Sequence, residues 1–167
     1  MQLFKHLAHA PMRVEPLLAE EISQVPVQQH HLKDVLDPLS AVMALSRGKG
    51  TNPCGRKLAI FDGKQRFDLL LSFRRQARIS EVRPSGQPGI VYICRVRYIP
   101  VAGHRNSDDT RQMAASAGIE VALRPVPSAN LLVPYQITVP TAAGTAVLTS
   151  QRVDITTPGR RQIALVH

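Results

Sequence analysis

Tryptophan is absent from this chain of 167 residues, and aromatic residues make up only 4% of it. A core without large rings must be filled mainly by Leu, Val and Ile. No run of about 18 apolar residues occurs, so the sequence predicts no transmembrane segment. Hydrophobic residues still amount to 44% of the chain, which argues against intrinsic disorder. The length predicts a single domain over residues 1–167, large enough to bury a core without metals or dense disulfides.

Acidic residues are scarce, because 12 Asp and Glu stand against 21 Lys and Arg and give a net charge of +9. This balance suits nucleic acid, anionic lipid head groups or an acidic partner. The basic residues are mostly dispersed at outward strand positions, however, and this pattern favours a solvated face. A platform for nucleic acid would need exposed aromatics, whereas Phe67, Phe73, Tyr92 and Tyr98 share the parity of the apolar face. We expect no nucleic-acid partner.

Motifs for catalysis and cofactor binding are also missing. Ser40, Ser72 and Ser150 lack the GxSxG context of a nucleophilic serine. Residues 48–51 hint at a phosphate loop but lack the GxxxxGKS/T spacing. The two cysteines have no CxxC spacing, so they do not suggest a zinc site. The sequence therefore predicts a protein that is not an enzyme and has no cofactor or metal.

One polar loop is an exception, because it carries residues that could catalyse a reaction or bind a metal. His104, Asp108 and Asp109 lie close together along the chain, and these side chains can form an acid–base or metal site. Polar loops of this kind are far more often simply hydrated. An enzyme built on the loop 104–109 remains an alternative.

The residues that are present predict a β-hairpin in the stretch 57–73, around which the rest of the chain is organised. Asp62-Gly63 is a two-residue turn signal, because a type I′ turn needs φ > 0 at both centres. Beyond the turn, alternation places one set of apolar residues on a single strand face, namely Phe67, Leu69, Leu71 and Phe73. Polar residues fall mostly on the other face, namely Arg66, Asp68, Ser72 and Arg74. A period of two is typical of a half-buried strand.

Further strands are predicted by the same alternation at residues 2–9, 89–99, 119–124, 131–139, 147–155 and 161–166, with a short one near 12–16. In the strand 119–124, Glu120 and Arg124 fall on the polar side. Pro134 and Pro140 place the strand 131–139 at a sheet edge or give it a bulge. Residues 140–144 predict a hairpin loop that ends in an αL glycine. Long strands joined by tight turns argue against a parallel sheet. The fold class is therefore mainly β, an antiparallel meander with one or two short helices.

The helices are predicted from their ends. Asp37 can accept the free N–H groups at a helix start, and Pro38 fits the first helical position. Leu39, Val42 and Met43 then share one apolar side, and Gly48 suits the C-terminal cap. A second short helix is predicted at residues 108–117.

Cys54 follows Pro53 in a loop, and Cys94 lies at an inward strand position. A bridge between them would close a loop of about 40 residues. The alternative is two unpaired cysteines, one of which is a small core residue. The residues alone leave this choice open.

Several blocks together resemble one family of uncharacterised exported proteobacterial proteins, known as domain of unknown function 3108. The blocks are VLDPLSA at 35–41, PCG at 53–55, FDGKQRFDL at 61–69, CRVRYIPVAGH at 94–104, LVPY at 132–135 and PTAAG at 140–144. They span nearly the whole chain in one order. Family members usually begin with a signal peptide and several more strands, so this chain resembles the C-terminal portion of a member with a truncated N-terminus.

The resemblance implies export to the periplasm, although residues 2–7 lack the apolar segment of a signal peptide and by themselves predict a cytoplasmic chain. Export favours a Cys54–Cys94 disulfide. The family is also associated with a strongly curved open sheet, a half-barrel like that of lipoprotein carriers, that holds an apolar ligand in its concave face. The residues expected to bind it are Phe67, Leu69, Leu71 and Phe73.

The expected function is therefore a non-enzymatic periplasmic protein that binds a lipid, an acyl chain or another envelope component. The alternative is a structural module or one that binds other envelope proteins through an open sheet edge. If upstream strands are missing, residues 2–9 lose a neighbour, and we expect self-association through that edge.

Overall fold

A computed structural model describes residues 25–47, 53–82, 88–156 and 162–166. The predicted strands at 2–9 and near 12–16, and the edge expected at 2–9, lie outside these residues, as does Gly48. The described chain forms a six-stranded sheet and a separate two-stranded hairpin. The strands are β1 Arg56–Phe61, β2 Arg66–Val82, β3 Pro88–Ala102, β4 Glu120–Val126, β5 Leu131–Thr141, β6 Gly144–Thr149, β7 Arg152–Thr156 and β8 Gln162–Val166.

Every strand of the larger sheet pairs antiparallel with its neighbour in sequence, in the order β1-β2-β3-β4-β5-β6. The described residues also form two short α-helices, α1 Pro38–Ser46 and α2 Asp108–Ala115, and 3₁₀ turns at Gln29–Leu32 and Pro127–Ala129. The predicted mainly-β antiparallel meander with short helices is thus confirmed. The strong curvature implied by the resemblance is not confirmed, since neither sheet closes or strongly curls within the described part of the chain.

The predicted hairpin at residues 57–73 is present as β1 and β2, but its turn differs from the prediction. The loop spans residues 62–65, and only Gly63 has positive φ, at 95°. The Asp62 carboxylate accepts the N–H groups of Lys64 at 2.9 Å and Gln65 at 2.6 Å. Burial by itself raises the pKa of Asp62, but these two backbone donors bring it below its ordinary value. The prediction of a type I′ turn was wrong, because the aspartate side chain closes a wider loop instead.

Helix α1 begins as predicted but packs through a different side. The Asp37 carboxylate accepts the N–H groups of Leu39 and Ser40, each at 3.0 Å. Ala41 is buried, and Ala44 and Leu45 pack against the same core. The stripe predicted to pack faces outward instead, since the exposed fractions are 73% for Leu39, 45% for Val42 and 56% for Met43. The two alanines let the helix backbone lie close to β1 and β5, which it contacts.

Arg56 ties the end of α1 to the start of β1. Its guanidinium donates to the carbonyl oxygens of Ala44 at 2.8 Å, Leu45 at 3.0 Å and Pro53 at 2.9 Å. The last carbonyls of a helix have no partner within the helix, and a cation at this end also offsets the helix dipole. A short helix that would be marginal alone is thereby held on the sheet.

The main core lies on one side of the six-stranded sheet, which we call the front face. Its buried residues include Ala41, Leu58, Ile60, Leu71, Val96, Val121, Leu123 and Leu132. The disulfide between Cys54 and Cys94 lies within it, with both residues 0% exposed. The bridge that the exported context favours is therefore present. It anchors the loop before β1 to the centre of the sheet.

The opposite side, the back face, is also partly buried. A register shift between Phe73 and Arg75 reverses the alternation of β2, so Ile79 joins Val91 and Ile93 in a back-face cluster. A second cluster forms where the β7–β8 hairpin packs on β4 and β5 through Val126, Val133 and Leu165. The prediction that Arg124 points outward is wrong, because it is only 5% exposed. It lies on β4 between the buried Ala122 and Val126.

The strand β5 contains the predicted bulge. Leu123 of β4 pairs with Pro134 and Ala122 pairs with Gln136, so Tyr135 is the extra residue. Between the two alternatives, bulge and edge, the bulge is confirmed, because β5 pairs with both β4 and β6. The missing N–H of Pro134 is tolerated at such an irregularity.

The remaining strand predictions differ in two places. The single strand predicted at 147–155 is broken into β6 and β7. The bond from the Ser150 N–H to the Tyr135 carbonyl oxygen, at 2.9 Å, is the last one in register with the β5–β6 ladder, and the chain then leaves the sheet. The loop before β6 is a hairpin, as predicted, with Thr141 paired to Gly144. Gly144 has φ of 131°, so it is positive but not αL. The final predicted strand is present as β8.

Candidate functional site

The four residues predicted to bind an apolar ligand are distributed differently across the structure. Leu71 is 3% exposed in the main core, and Phe67 and Leu69 are partly buried against it. Phe73 is 50% exposed. Three of the four therefore pack against the protein's own residues, among them Ala41 of α1. Their role in ligand binding stays a prediction.

A small cavity of about 160 Å³ lies between the loop before β1 and the β4–β5 end of the sheet. Its lining includes Pro53, Tyr92, Pro125 and Leu132. Cavities that enclose drug-sized ligands have volumes of roughly 300–1,000 Å³. This space is therefore too small to enclose an acyl chain.

A buried charged pair lies at the β1–β2 end of the back face. Arg66 and Asp68 were predicted to point to solvent, but they are 9% and 6% exposed. The Arg66 guanidinium donates to Asp68 Oδ1 at 2.7 Å and to the His31 carbonyl oxygen at 3.1 Å. Lys57 Nζ lies 2.8 Å from Asp68 Oδ2. The outward placement was wrong because the 3₁₀ turn that contains His31 lies against this part of the sheet.

The electrostatics of Asp68 follow from these contacts. Burial alone would raise its pKa, but hydrogen bonds from Lys57 and Arg66, together with their charges, hold the pKa below its ordinary value. Asp68 is thus an anion at neutral pH that two cations neutralise. The arrangement is a structural ion pair and leaves no free carboxylate for proton transfer.

His104 lies next to this pair and is 5% exposed. Its Nε2 is 2.9 Å from the Arg66 carbonyl oxygen, and its Nδ1 is 3.2 Å from the Tyr98 hydroxyl. A carbonyl oxygen can only accept, so Nε2 carries a hydrogen; in the neutral ring Nδ1 then accepts from Tyr98. The rings of Phe67, Tyr98 and His104 are stacked edge to face or tilted. Burial, reinforced by the charge of Asp62, raises the pKa of Tyr98 to about 12.

In the loop 104–109, His104 and Asp108 form different contacts, and the alternative of an enzyme built on this loop stays a prediction. His104 bonds with Tyr98 and Arg66, whereas the exposed Asp108 forms an ion pair with Arg111. Ser107 caps α2 by accepting the Thr110 N–H at 3.3 Å. Over the residues that the structure describes, no group of three or more His, Cys, Asp or Glu is placed to hold a metal ion. No helix of the described chain is long and apolar enough to cross a membrane.

The two edges of the six-stranded sheet differ. On the β1 edge, Leu36 donates its N–H to the Ala59 carbonyl oxygen at 2.8 Å, and its own carbonyl accepts from Phe61 at 2.9 Å. Strand β6, in contrast, pairs only with β5 within the described chain. All of its residues, Gly144–Thr149, are exposed, and none is charged or proline. Among the described residues, therefore, no strand pairs with the outer edge of β6, and the strand itself carries no charge or proline.

Exposed apolar side chains surround this edge. Val147 is 52% exposed and Leu148 is 60% exposed, on opposite faces of β6. Leu148 pairs with Ile137 of β5, which is 37% exposed. Helix α1 contacts β5, and it carries the exposed Leu39, Val42 and Met43, which we call the α1 stripe.

Comparison with known proteins gives no match, whether to a family model, to a curated protein or to a solved structure. Membership of the family suggested by the sequence blocks therefore stays a prediction. The sequence alone missed the β6 edge and the buried Arg66–Asp68 pair. Opposite charges two residues apart on one strand share a face, and this spacing is the signal that could have revealed the pair.

Proposed function

We propose that the protein is a non-enzymatic binding module of the bacterial cell envelope that takes an extended segment of another protein as an added strand at β6. The observation that carries this proposal is the exposure of the whole strand Gly144–Thr149 without a charge or a proline. Natural sheets usually protect an edge strand with charges, prolines or bulges, because its free N–H and C=O groups are a template for pairing. An edge without these devices is suited to β-strand addition.

The register shows which β6 groups are available. Thr145 pairs with Pro140, which has no N–H to donate, so this pair is of the non-hydrogen-bonded type. Types alternate along an antiparallel ladder, and Val147 and Thr149 therefore also direct their N–H and C=O groups away from β5. The side chains of Val147 and Leu148 would contact apolar residues of the partner strand. The net charge of +9 favours acidic flanking residues in that partner.

Periplasmic location belongs to the same proposal. The buried disulfide supports it, because disulfides persist in oxidising compartments such as the periplasm.

We expect Val147→Pro to abolish strand addition, because proline removes an N–H that points to the partner and leaves the β5 ladder intact. A photo-crosslinking side chain placed at Thr145 or Thr149 should give a discrete adduct with one envelope protein in cells. The adduct should disappear in Val147→Pro and weaken in Val147→Lys, which adds an edge charge.

The matched control is Val42→Lys on α1, since Val42 is exposed to a similar degree, 45% against 52% for Val147. This control should leave the adduct unchanged. Equal adduct yields in Val147→Pro and in the unmodified chain would refute strand addition at β6.

A second candidate function is the binding of a lipid, an acyl chain or another apolar envelope component. The α1 stripe favours it, because Leu39, Val42 and Met43 are exposed. The core on the front face of the sheet is already packed with the protein's own side chains, so an apolar ligand would bind outside it. An apolar ligand would lie along this stripe and the neighbouring front face of β5 and β6. Covering one such side chain contributes about 1.5–3 kcal/mol.

We expect Met43→Glu to weaken the binding of a fluorescent fatty acid by about tenfold, which corresponds to the lost burial of one side chain. Phe73→Glu is the comparison, because Phe73 is similarly exposed and belongs to the set predicted from sequence. If only Phe73→Glu weakens probe binding, the ligand binds at the β2 face that the sequence predicted. No probe binding, together with no co-purifying lipid in native mass spectrometry, would reject both versions.

A further inference from the structure

A groove of about 400 Å³ opens beside β3 at the end of β4. We call it the arginine groove and define it by its lining residues, Arg95, Val96, Arg97, Ala114, Ala115, Ser116 and Ala117. Its volume lies within the range of small-molecule sites, roughly 300–1,000 Å³. None of these lining residues belongs to β6.

The groove exists because two neighbouring strands have different lengths. Pairing between β3 and β4 ends at Arg95 and Glu120, while β3 continues to Ala102. One further bond, from the Val96 N–H to the Ile119 carbonyl oxygen at 2.9 Å, closes the junction. Beyond it the C-terminal end of α2 and the residues that follow it lie alongside β3. Residues 114–117 of this stretch are alanines and one serine, whose short side chains leave the space open.

The groove carries positive charge that no ion pair of the described residues neutralises. Arg95 and Arg97 are two residues apart on β3, so both project from the back face, and both are exposed. Neither forms an ion pair or a side-chain hydrogen bond within the described chain.

Among the side chains that the structure describes on β2 and β4, the carboxylates are already engaged. Glu120, the cross-strand neighbour of Arg95, forms ion pairs with Arg74 and Arg75. Asp68 on β2 is held by Lys57 and Arg66. Arg95 and Arg97 therefore border the groove as exposed residues that have no counter-charge among the side chains described.

We propose that the arginine groove binds a phosphate-bearing ligand. Arg95 and Arg97 would bind the phosphate, and the alanine-lined wall would contact the small group attached to it. The guanidinium is planar, always charged and matched to phosphate oxygens in pairs of parallel N–H···O bonds. The net charge of +9 draws anions toward the surface. Phosphate of this kind occurs both in lipid head groups and in soluble phosphate esters.

The test measures binding of glycerol 3-phosphate by calorimetry, and of vesicles with and without phosphatidylglycerol in phosphatidylcholine by co-sedimentation. The full chain is compared with Arg95→Gln/Arg97→Gln. The matched control is Arg47→Gln/Arg78→Gln, which removes the same charge from exposed positions outside the groove. We expect the groove variant to lose affinity by about tenfold or more, as for two charge-assisted contacts, and the control to change little.

A steric variant separates the groove from general charge. Ala117 is exposed, so Ala117→Leu narrows the groove without altering charge, and it should also weaken binding. Binding of the vesicles but not of glycerol 3-phosphate would assign the ligand to a lipid head group, and equal binding of the free ester would assign a soluble ligand. Equal losses in the groove and control variants, or no binding of either probe, would overturn the proposal.

Discussion

Reduction of the Cys54–Cys94 disulfide is expected to lower the free energy of unfolding by about 4 kcal/mol, on the chain-entropy scale for a loop of this length. The bridge joins residues 40 apart, so its loss gives the unfolded chain many more conformations. Both cysteines are 0% exposed, and the disulfide also fixes the loop before β1 within the main core. Urea unfolding with and without a reductant, monitored by circular dichroism, measures the change.

A loss of about 4 kcal/mol is a large part of the 5–15 kcal/mol that stabilises a typical domain. The control is Cys54→Ala/Cys94→Ala in the absence of reductant, which should reproduce the loss. Because the bridge is fully buried, an added reductant should cleave it, and thiols that can be labelled should appear, only when the protein unfolds. An unfolding midpoint that is the same with and without reductant would contradict a stabilising bridge.

Asp68→Asn is expected to cost about 3 kcal/mol, because it leaves the Arg66 guanidinium buried without its counter-charge. The Arg66 and Asp68 side chains are 10% and 8% exposed, so water cannot replace the lost partner. The matched control is Asp154→Asn, whose partner Arg152 is exposed, and a surface pair of this type contributes about 0–1 kcal/mol.

The double variant Arg66→Met/Asp68→Leu should recover much of the stability, since replacing both buried charges with apolar side chains is often neutral or favourable. Equal stabilities of Asp68→Asn and Asp154→Asn would show that the buried pair contributes no more than a surface pair.

The same pair predicts an acid-dependent loss of stability. The pKa of Asp68 is lowered in the folded state, where Lys57 and Arg66 favour the charged form despite burial. The contribution of Asp68 is therefore complete above its unfolded pKa, about 3.9, and is lost as the pH falls through the folded value. Asp68→Asn should remove this part of the acid-induced decrease, as measured by unfolding from pH 6 downward.

Local patterns were sufficient where one residue decides the structure. Asp37 and Pro38 predicted the start of α1, because the cap and the first helical position depend only on the adjacent backbone. The period of two predicted the strands and their antiparallel order, since tight turns leave no other connection. Pro134 predicted either an edge or a bulge for the same local reason, and the bulge is present. The turn at Asp62 failed because its side chain competes with the backbone for the same N–H groups.

Burial was less predictable, because it depends on what packs against an element from elsewhere in the chain. The α1 stripe looked like a packing side, but the smaller Ala41 and Ala44 allow a closer approach to the sheet. Arg66 and Asp68 looked like surface residues until the 3₁₀ turn at Gln29–Leu32 came to lie against them. The pattern of polar residues along one strand cannot predict that a segment 35 residues away in sequence will pack against it.

By itself, then, the sequence determined the elements of this protein: an antiparallel meander, a capped helix and an excess of positive charge. Those properties arise from backbone conformation and composition, which need no long-range contact. Only the tertiary structure decided that Cys54 meets Cys94, that β6 is an edge strand of the described sheet and that Arg95 and Arg97 border an open groove. Each of these depends on distances between residues far apart in the chain, and those distances are set when the sheet and helices pack together.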